Sequence, residues 1–315
     1  MPKEITHWLI ASRVADRLHG TVLGDAAKQN PNSLRLGAVF HDALFYYRAL
    51  NNTDIYLAVG DTLHGYGGED TYSLVRHVAG AADRDGPITS FLVGTITHIF
   101  TDRFFHPLVY NLTGDYYSAV ASEKTQAVSN HRHFESLMDL YFAGSRAQLK
   151  KFSLNHYIKH AEMPLPELLH RCLKTFSREK NLPALERALI RAYSIFALMQ
   201  KSYTVPLLIW LLYELYSTLP DSIKEIAALY YLPNLQDKLP AVSSPVLYPD
   251  PVSGEKAPTA LEQIFDMAVE HSLTFCKTIE QSIAAGNPPL IDKKGPPMDF
   301  SQNSGNVPDK RFVIK

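Results

Sequence analysis

In the stretch HIFTDRFFH, His98, Asp102 and His106 stand four residues apart, twice over. At about 3.6 residues per helical turn, such positions share one slowly drifting stripe, so two imidazoles and a carboxylate point the same way. That stripe can bind a metal ion. A histidine set among Phe100, Phe104 and Phe105 equally suits a hydrogen-bonded place in a core. The nonapeptide alone leaves both readings open.

Four further segments carry residues of the same chemical type. His7 lies near the start, Asp42 in GAVFHDALFYY, His64 in DTLHGYGG, and His131 with Glu135 in NHRHFESLMD, again spaced i, i+4. Zinc accepts imidazole nitrogen and carboxylate oxygen, and bridging carboxylates let such a set hold several ions. Each part also has a plain structural reading: a hydrogen-bonded carboxylate for Asp42, a turn residue for His64, an exposed helical pair for His131 and Glu135. Helices of one bundle can converge all of them inside, where unpaired charge costs several kcal/mol per ion. Five coincidences are then the weaker account.

The order and spacing resemble the zinc-dependent phospholipase C family, whose fold is shared by single-strand nucleases of the same superfamily. The resemblance covers roughly residues 1–145. It rests on Thr6-His7, His41-Asp42, Leu63-His64-Gly65, the HxxxDxxxHP run from His98 to Pro107, and HRxxE from His131 to Glu135. It implies an all-α multi-helix bundle with a metal cluster between helices. It also implies that His7, Asp42, His64, His98, Asp102, His106, His131 and Glu135 ligate two or three zinc ions, with Asp102 bridging two, and that Asp42 also orients or deprotonates the attacking water. The secreted phospholipases add a processed N-terminal tryptophan as a ligand, whereas here six residues precede His7. His41 stands where many relatives have proline; it is read as a supporting donor or a packed ring, not a ligand. His133 is set aside because it falls about 160° from Glu135 on a regular helix.

The composition narrows the alternatives. With 31 Lys+Arg against 32 Asp+Glu in 315 residues, no bulk charge draws the chain to nucleic acid or to anionic membrane. The two cysteines, Cys172 and Cys276, are far apart and imply neither a disulfide framework nor a thiolate zinc site. The opening MPKEITHWLIASRVADRL is interrupted by Arg13, Asp16 and Arg17 and lacks the form of a signal peptide, so a cytoplasmic location is expected. No transmembrane segment is expected. The most apolar run, VPLLIWLLYELY from Val205 to Tyr216, falls short of the roughly 20 residues a bilayer span needs and reads as a buried helix.

The elements that must position these residues follow from periodicity. Apolar residues recur at helical spacing to about residue 235, with almost no β-alternation. Ile5, Leu9, Ile10 and Val14 form the inward stripe of a first helix; Asn32 and Ser33 offer caps before Leu34, Leu36 and Val39. GYGGED is a loop, DRDGP precedes the long helix of His98, and Pro107 is expected to end that helix. Further helices are expected over 122–143, 164–177, 183–203 and 206–218. The organisation expected is a helical domain over 1–232, a Pro/Ser-rich excursion over 233–258, a C-terminal helix over 259–285 on the same domain, and a polar tail over 286–315 that is mobile or ordered only against a partner.

The function expected is phosphodiester hydrolysis of phospholipase C type, with a phospholipid as one candidate substrate. Two rivals remain: a single-strand nuclease stacking bases on Tyr46, Tyr47, Tyr66, Phe104, Phe105, Tyr116 or Tyr117, and a non-catalytic, metal-stabilised domain that binds a partner through 233–258 and the tail.

Overall fold

The computed structural model describes residues 3–47, 54–82, 86–116, 118–174, 182–284 and 291–298. Among them the helical periodicity is realised as an all-α architecture, with one small hairpin. Helices α1 (Glu4–Arg17), α2 (Val22–Gln29), α3 (Pro31–Gly37) and α4 (Phe40–Tyr47) come first, then α5 (Asp54–Leu63) and a 3-10 turn at Tyr66–Gly68. Next come α6 (Tyr72–Ala81), the 27-residue α7 (Pro87–Thr113) and α8 (Ala121–Ala143). Short helices α9 (Arg146–Leu149), α10 (Leu154–Lys159) and α11 (Leu165–Leu173) lead to α12 (Leu182–Ser202), α13 (Pro206–Leu215) and α14 (Asp221–Ala227). The expected excursion holds α15 (Asn234–Val242) and the antiparallel pair β1 (Val246–Pro249) and β2 (Lys256–Thr259), and α16 (Leu261–Ala284) follows.

Helix α7 is the axis of the fold. It packs against α1, α2, α3, α6, α8 and α16, and 23 of its 27 residues are buried, so almost none of its surface meets solvent. This explains why Pro107 does not end it, contrary to expectation. An interior proline costs roughly 3 kcal/mol. Burying two or three side chains such as Phe105, Leu108 and Val109, at about 1.5–3 kcal/mol each, offsets that. The helix stops at Gly114, whose φ of 103° few other residues would adopt.

Close approach of α3 to α7 sets the site. A Cβ on Gly94 would stand 2.1 Å from the Leu34 carbonyl oxygen, and one on Gly37 2.1 Å from that of Phe91. Only bare backbone fits there, and it brings the Ala38 carbonyl against α7. Asn32 and Ser33 do not cap α3 as expected: they lie in its first turn, and their own N–H groups donate to Glu162 at 3.0 and 2.9 Å. The cap is therefore supplied from a distant part of the chain.

Helix α13 also departs from the reading of a buried helix. Ile209 is its one buried residue, whereas Leu207 is 72% and Trp210 55% exposed. Of the tail, residues 291–298 pack on the fold; 286–290 and 299–315 lie outside the described residues.

Candidate metal centre

The stripe on α7 turns inward. His98 and Asp102 are fully buried, and Asp42 from α4 and His64 from the end of α5 meet them: one ligand atom from each of the four lies within 4.8 Å of the others. Asp102 uses its two oxygens in different directions. Oδ2 is 3.2 Å from His98 Nε2 and 3.7 Å from His64 Nε2, while Oδ1 is 3.3 Å from Nε2 of His7 on α1. Asp42 Oδ1 completes the first group, 3.3 Å from His64 Nε2 and 3.7 Å from His98 Nε2.

These separations suit a common ion. Ligands about 2.05 Å from a tetrahedral centre stand about 3.3–3.4 Å apart, close to the distances above. The ring orientations agree. His98 Nδ1 donates to the Ala38 carbonyl at 2.8 Å and His64 Nδ1 to the Gly60 carbonyl at 2.8 Å; a carbonyl can only accept, so the proton must sit on Nδ1 and each Nε2 faces the centre. The Asp102 oxygens, His7 Nε2 and His98 Nε2 are buried without a hydrogen bond of good geometry. Such a set is costly without a cation and satisfied by one.

Electrostatics show the same strain. Burial opposes the charged form of Asp102, but His98 and then His106 overcome it and hold its pKa well below the usual range. Burial likewise opposes protonation of His98, yet Asp102 and Asp42 raise its pKa to about 9. Burial, aided by neighbouring His98, lowers that of His7.

A second group lies one turn further along α7. His131 Nε2 is 2.9 Å from Glu135 Oε1 on α8, and the His106 ring lies 6.0 Å from that of His131. Tyr110 and Tyr116 flank His131, each at 5.2 Å between ring centroids. His106 Nδ1 donates to the Met298 carbonyl, and Met298 N–H donates to the His64 carbonyl at 3.0 Å. The stretch around Met298 thus ties both groups together. It is anchored by Thr71 Oγ1 donating to the Pro296 carbonyl at 2.7 Å and by Gly295 N–H donating to Asp70 at 2.7 Å.

All eight residues named from the sequence are buried: Asp102 with four around it, and three between α7 and α8. His41 belongs to the packing: its ring stacks on one face of His98 at 4.4 Å while His7 stacks on the other at 4.3 Å. His133 is buried away from the centre against Tyr216, and burial lowers its pKa to about 4. Of the aromatic residues weighed as stacking platforms, Phe104 and Phe105 are core, Tyr46 lies against Phe196, and Tyr117 is outside the described residues.

Three supports escaped the sequence reading. Asp139 accepts from the N–H groups of Ile5 and Thr6, from Thr6 Oγ1 and from Tyr231, so it caps α1 and fixes His7. Its signal was present: Asp139 continues the His131, Glu135 spacing by another four residues. The Ala38 and Gly60 carbonyls carry no side-chain signal at all, and neither does the backbone of Met298.

The model of the family described as zinc dependent phospholipase C matches residues 6–201, which contain all eight of these residues. The chain belongs to the zinc-dependent phospholipase C family. The match extends past the motifs into α12, beyond the stretch in which the resemblance was legible. Neither a curated protein nor a solved structure is significantly similar to the chain.

Proposed function

We propose that the chain is a zinc-dependent phosphodiester hydrolase of phospholipase C type. One observation carries this reading: within the family segment, Asp102 turns one oxygen to His64 and His98 and the other to His7, as a carboxylate shared by two ions would. Asp42, His64, His98 and Asp102 would hold one ion, Asp102 and His7 a second, and His106, His131 and Glu135 a third. Bound zinc would supply positive charge to phosphoryl oxygens and bring the pKa of water toward neutrality.

The protein groups divide the remaining work. Asp102 and His98 have no exposed side-chain surface, whereas Asp42 and His64 keep 9% and 7%. The reacting groups would meet the centre from the Asp42 side, where Asp42 would accept a proton from the attacking water. Tyr110 and Tyr116 wall the second group and would exclude water around an ester with apolar arms. A phospholipid fits that wall better than a polyanionic strand does, because the chain carries a net charge of only −1. A cytoplasmic location is part of this proposal.

The test is a comparison of rates on short-chain phosphatidylcholine and on single-stranded oligonucleotide, for zinc-loaded protein with and without chelator. Faster, chelator-sensitive release of phosphocholine is expected. Preference for the oligonucleotide would make it a nuclease. Inactivity on both at full zinc loading would leave a metal-stabilised binding domain.

A further inference from the structure

Far along the chain, a short run comes back to the metal centre. Residues 291–298 form no regular secondary structure; Asp292, Lys293 and Lys294 are exposed, while Gly295 and Met298 are buried. Hydrogen bonds hold this run more than apolar packing does. Arg76 donates to the Ile291 and Lys293 carbonyls at 3.1 and 3.4 Å, Gly295 N–H donates to Asp70 at 2.7 Å, and Thr71 Oγ1 donates to the Pro296 carbonyl at 2.7 Å. Backbone meets backbone beside them: a Cβ on Gly65 would stand 3.0 Å from the Cα of Pro297. Among the described residues, these fastenings all lie on the stretch 65–76.

The end of the run reaches the candidate ligands themselves. The Met298 carbonyl accepts from His106 Nδ1, and Met298 N–H donates to the His64 carbonyl at 3.0 Å, so the backbone of one residue touches a member of each group. A segment with few buried apolar contacts opens locally at low cost, because each hydrogen bond adds little net stability. An ion on His106 Nε2 would change that balance. It would pin the ring and keep the proton on Nδ1, aimed at the Met298 carbonyl. Partners that orient a ligating histidine in this way change metal affinity about 10- to 100-fold. Linkage is reciprocal, so a bound ion favours the fastened segment by the same factor.

We propose that residues 295–298 are a zinc-dependent clasp, fastened when His106, His131 and Glu135 hold an ion and released when that ion is lost. The proposal rests on the metal reading of those three residues, and its test does not depend on activity. The N–H groups of Gly295 and Met298 are both hydrogen-bonded only while the segment is fastened, so their hydrogen exchange reports on the clasp. Exchange at both is expected to be about 10- to 100-fold slower in zinc-loaded than in chelator-stripped protein. Gly254 N–H, which donates to the Asp250 carbonyl at 2.8 Å in the β1–β2 turn, is the control and is expected to exchange alike in both. Thr71→Val keeps the shape of the side chain but removes the donor to Pro296. In that variant, zinc-loaded, Gly295 and Met298 are expected to exchange severalfold faster, and zinc to pass to chelator severalfold faster.

Three results would overturn the clasp while leaving the metal reading in place: exchange at Gly295 and Met298 unchanged by zinc in protein that elemental analysis shows to be loaded, equal slowing at Gly254, or unaltered exchange and zinc release in Thr71→Val. Failure to take up zinc at all would overturn both. Zinc-slowed exchange confined to the clasp, in a protein inactive on every phosphodiester, would uphold the clasp and refute the enzymatic reading.

Discussion

Asp102→Asn separates a metal-binding carboxylate from a structural one. The substitution keeps shape and one carbonyl oxygen while removing a charge that has no exposed side-chain surface and stands 3.2 Å from His98, 3.3 Å from His7 and 3.7 Å from His64. Removing one partner from a buried charge arrangement costs about 3–5 kcal/mol. At about 1.4 kcal/mol per factor of ten, zinc affinity should fall roughly 10²- to 10⁴-fold. His7→Ala should cost less, because His7 faces only Oδ1 and leaves the group of Asp42, His64 and His98 intact.

Asp139→Asn is the control. That carboxylate is as deeply buried, but four donors within the protein already satisfy it, so its loss should lower stability and loosen only His7, with far less zinc lost per folded chain than in Asp102→Asn. The assay is elemental analysis together with competition against a chromophoric chelator, with circular dichroism to confirm folding. A folded Asp102→Asn variant that binds zinc within threefold of the native protein would refute the reasoning, as would equal zinc loss in the Asp139→Asn variant.

Glu4 offers a pH test away from the ligands. Its carboxylate oxygens are buried without a hydrogen-bond partner, and burial, opposed by neighbouring Lys3, raises its pKa from 4.5 to about 7. Between those values the folded protein holds a proton that the unfolded chain releases, so stability falls as pH rises, by about 3 kcal/mol in all. Glu4→Gln should remove this fall, gaining relative to native protein from pH 4.5 to 7 in urea titrations of zinc-free samples; parallel pH profiles would contradict it. Gly295→Val tests the stretch around Met298. A Cβ there would meet Thr71 Oγ1 at 2.2 Å and Tyr72 N at 2.4 Å, so the segment should lift, release the His106 Nδ1 bond and speed zinc loss to chelator severalfold. An unchanged rate of zinc release would show that this backbone bond does not hold His106.

Much of the chemistry was legible because it is local. Spacings of four residues place His98, Asp102 and His106 on one helical stripe, and His131 with Glu135 on another, whatever surrounds them. Helical periodicity likewise determined the all-α class, since few alternating segments competed with it. What the sequence could not decide is whatever depends on a neighbour distant along the chain. Pro107 is a helix breaker by its own covalent structure, yet burial on nearly all sides of α7 outweighs its cost. The run from Val205 to Tyr216 is apolar in the way a core helix is, and only the tertiary structure leaves most of it facing outward. Asn32 and Ser33 look like caps, but Glu162, some 130 residues on, serves that turn.

The metal centre divides along the same line. Residue type and helical phase select the candidate ligands, because they set which atoms can donate and which way they point. Their convergence depends on contacts that no pattern of side chains announces: bare glycine at positions 37 and 94 draws α3 onto α7, and the backbone carbonyls of Ala38, Gly60 and Met298 orient His98, His64 and His106. Every residue carries the same carbonyl, so only the tertiary structure decides which of them turns an imidazole toward the centre.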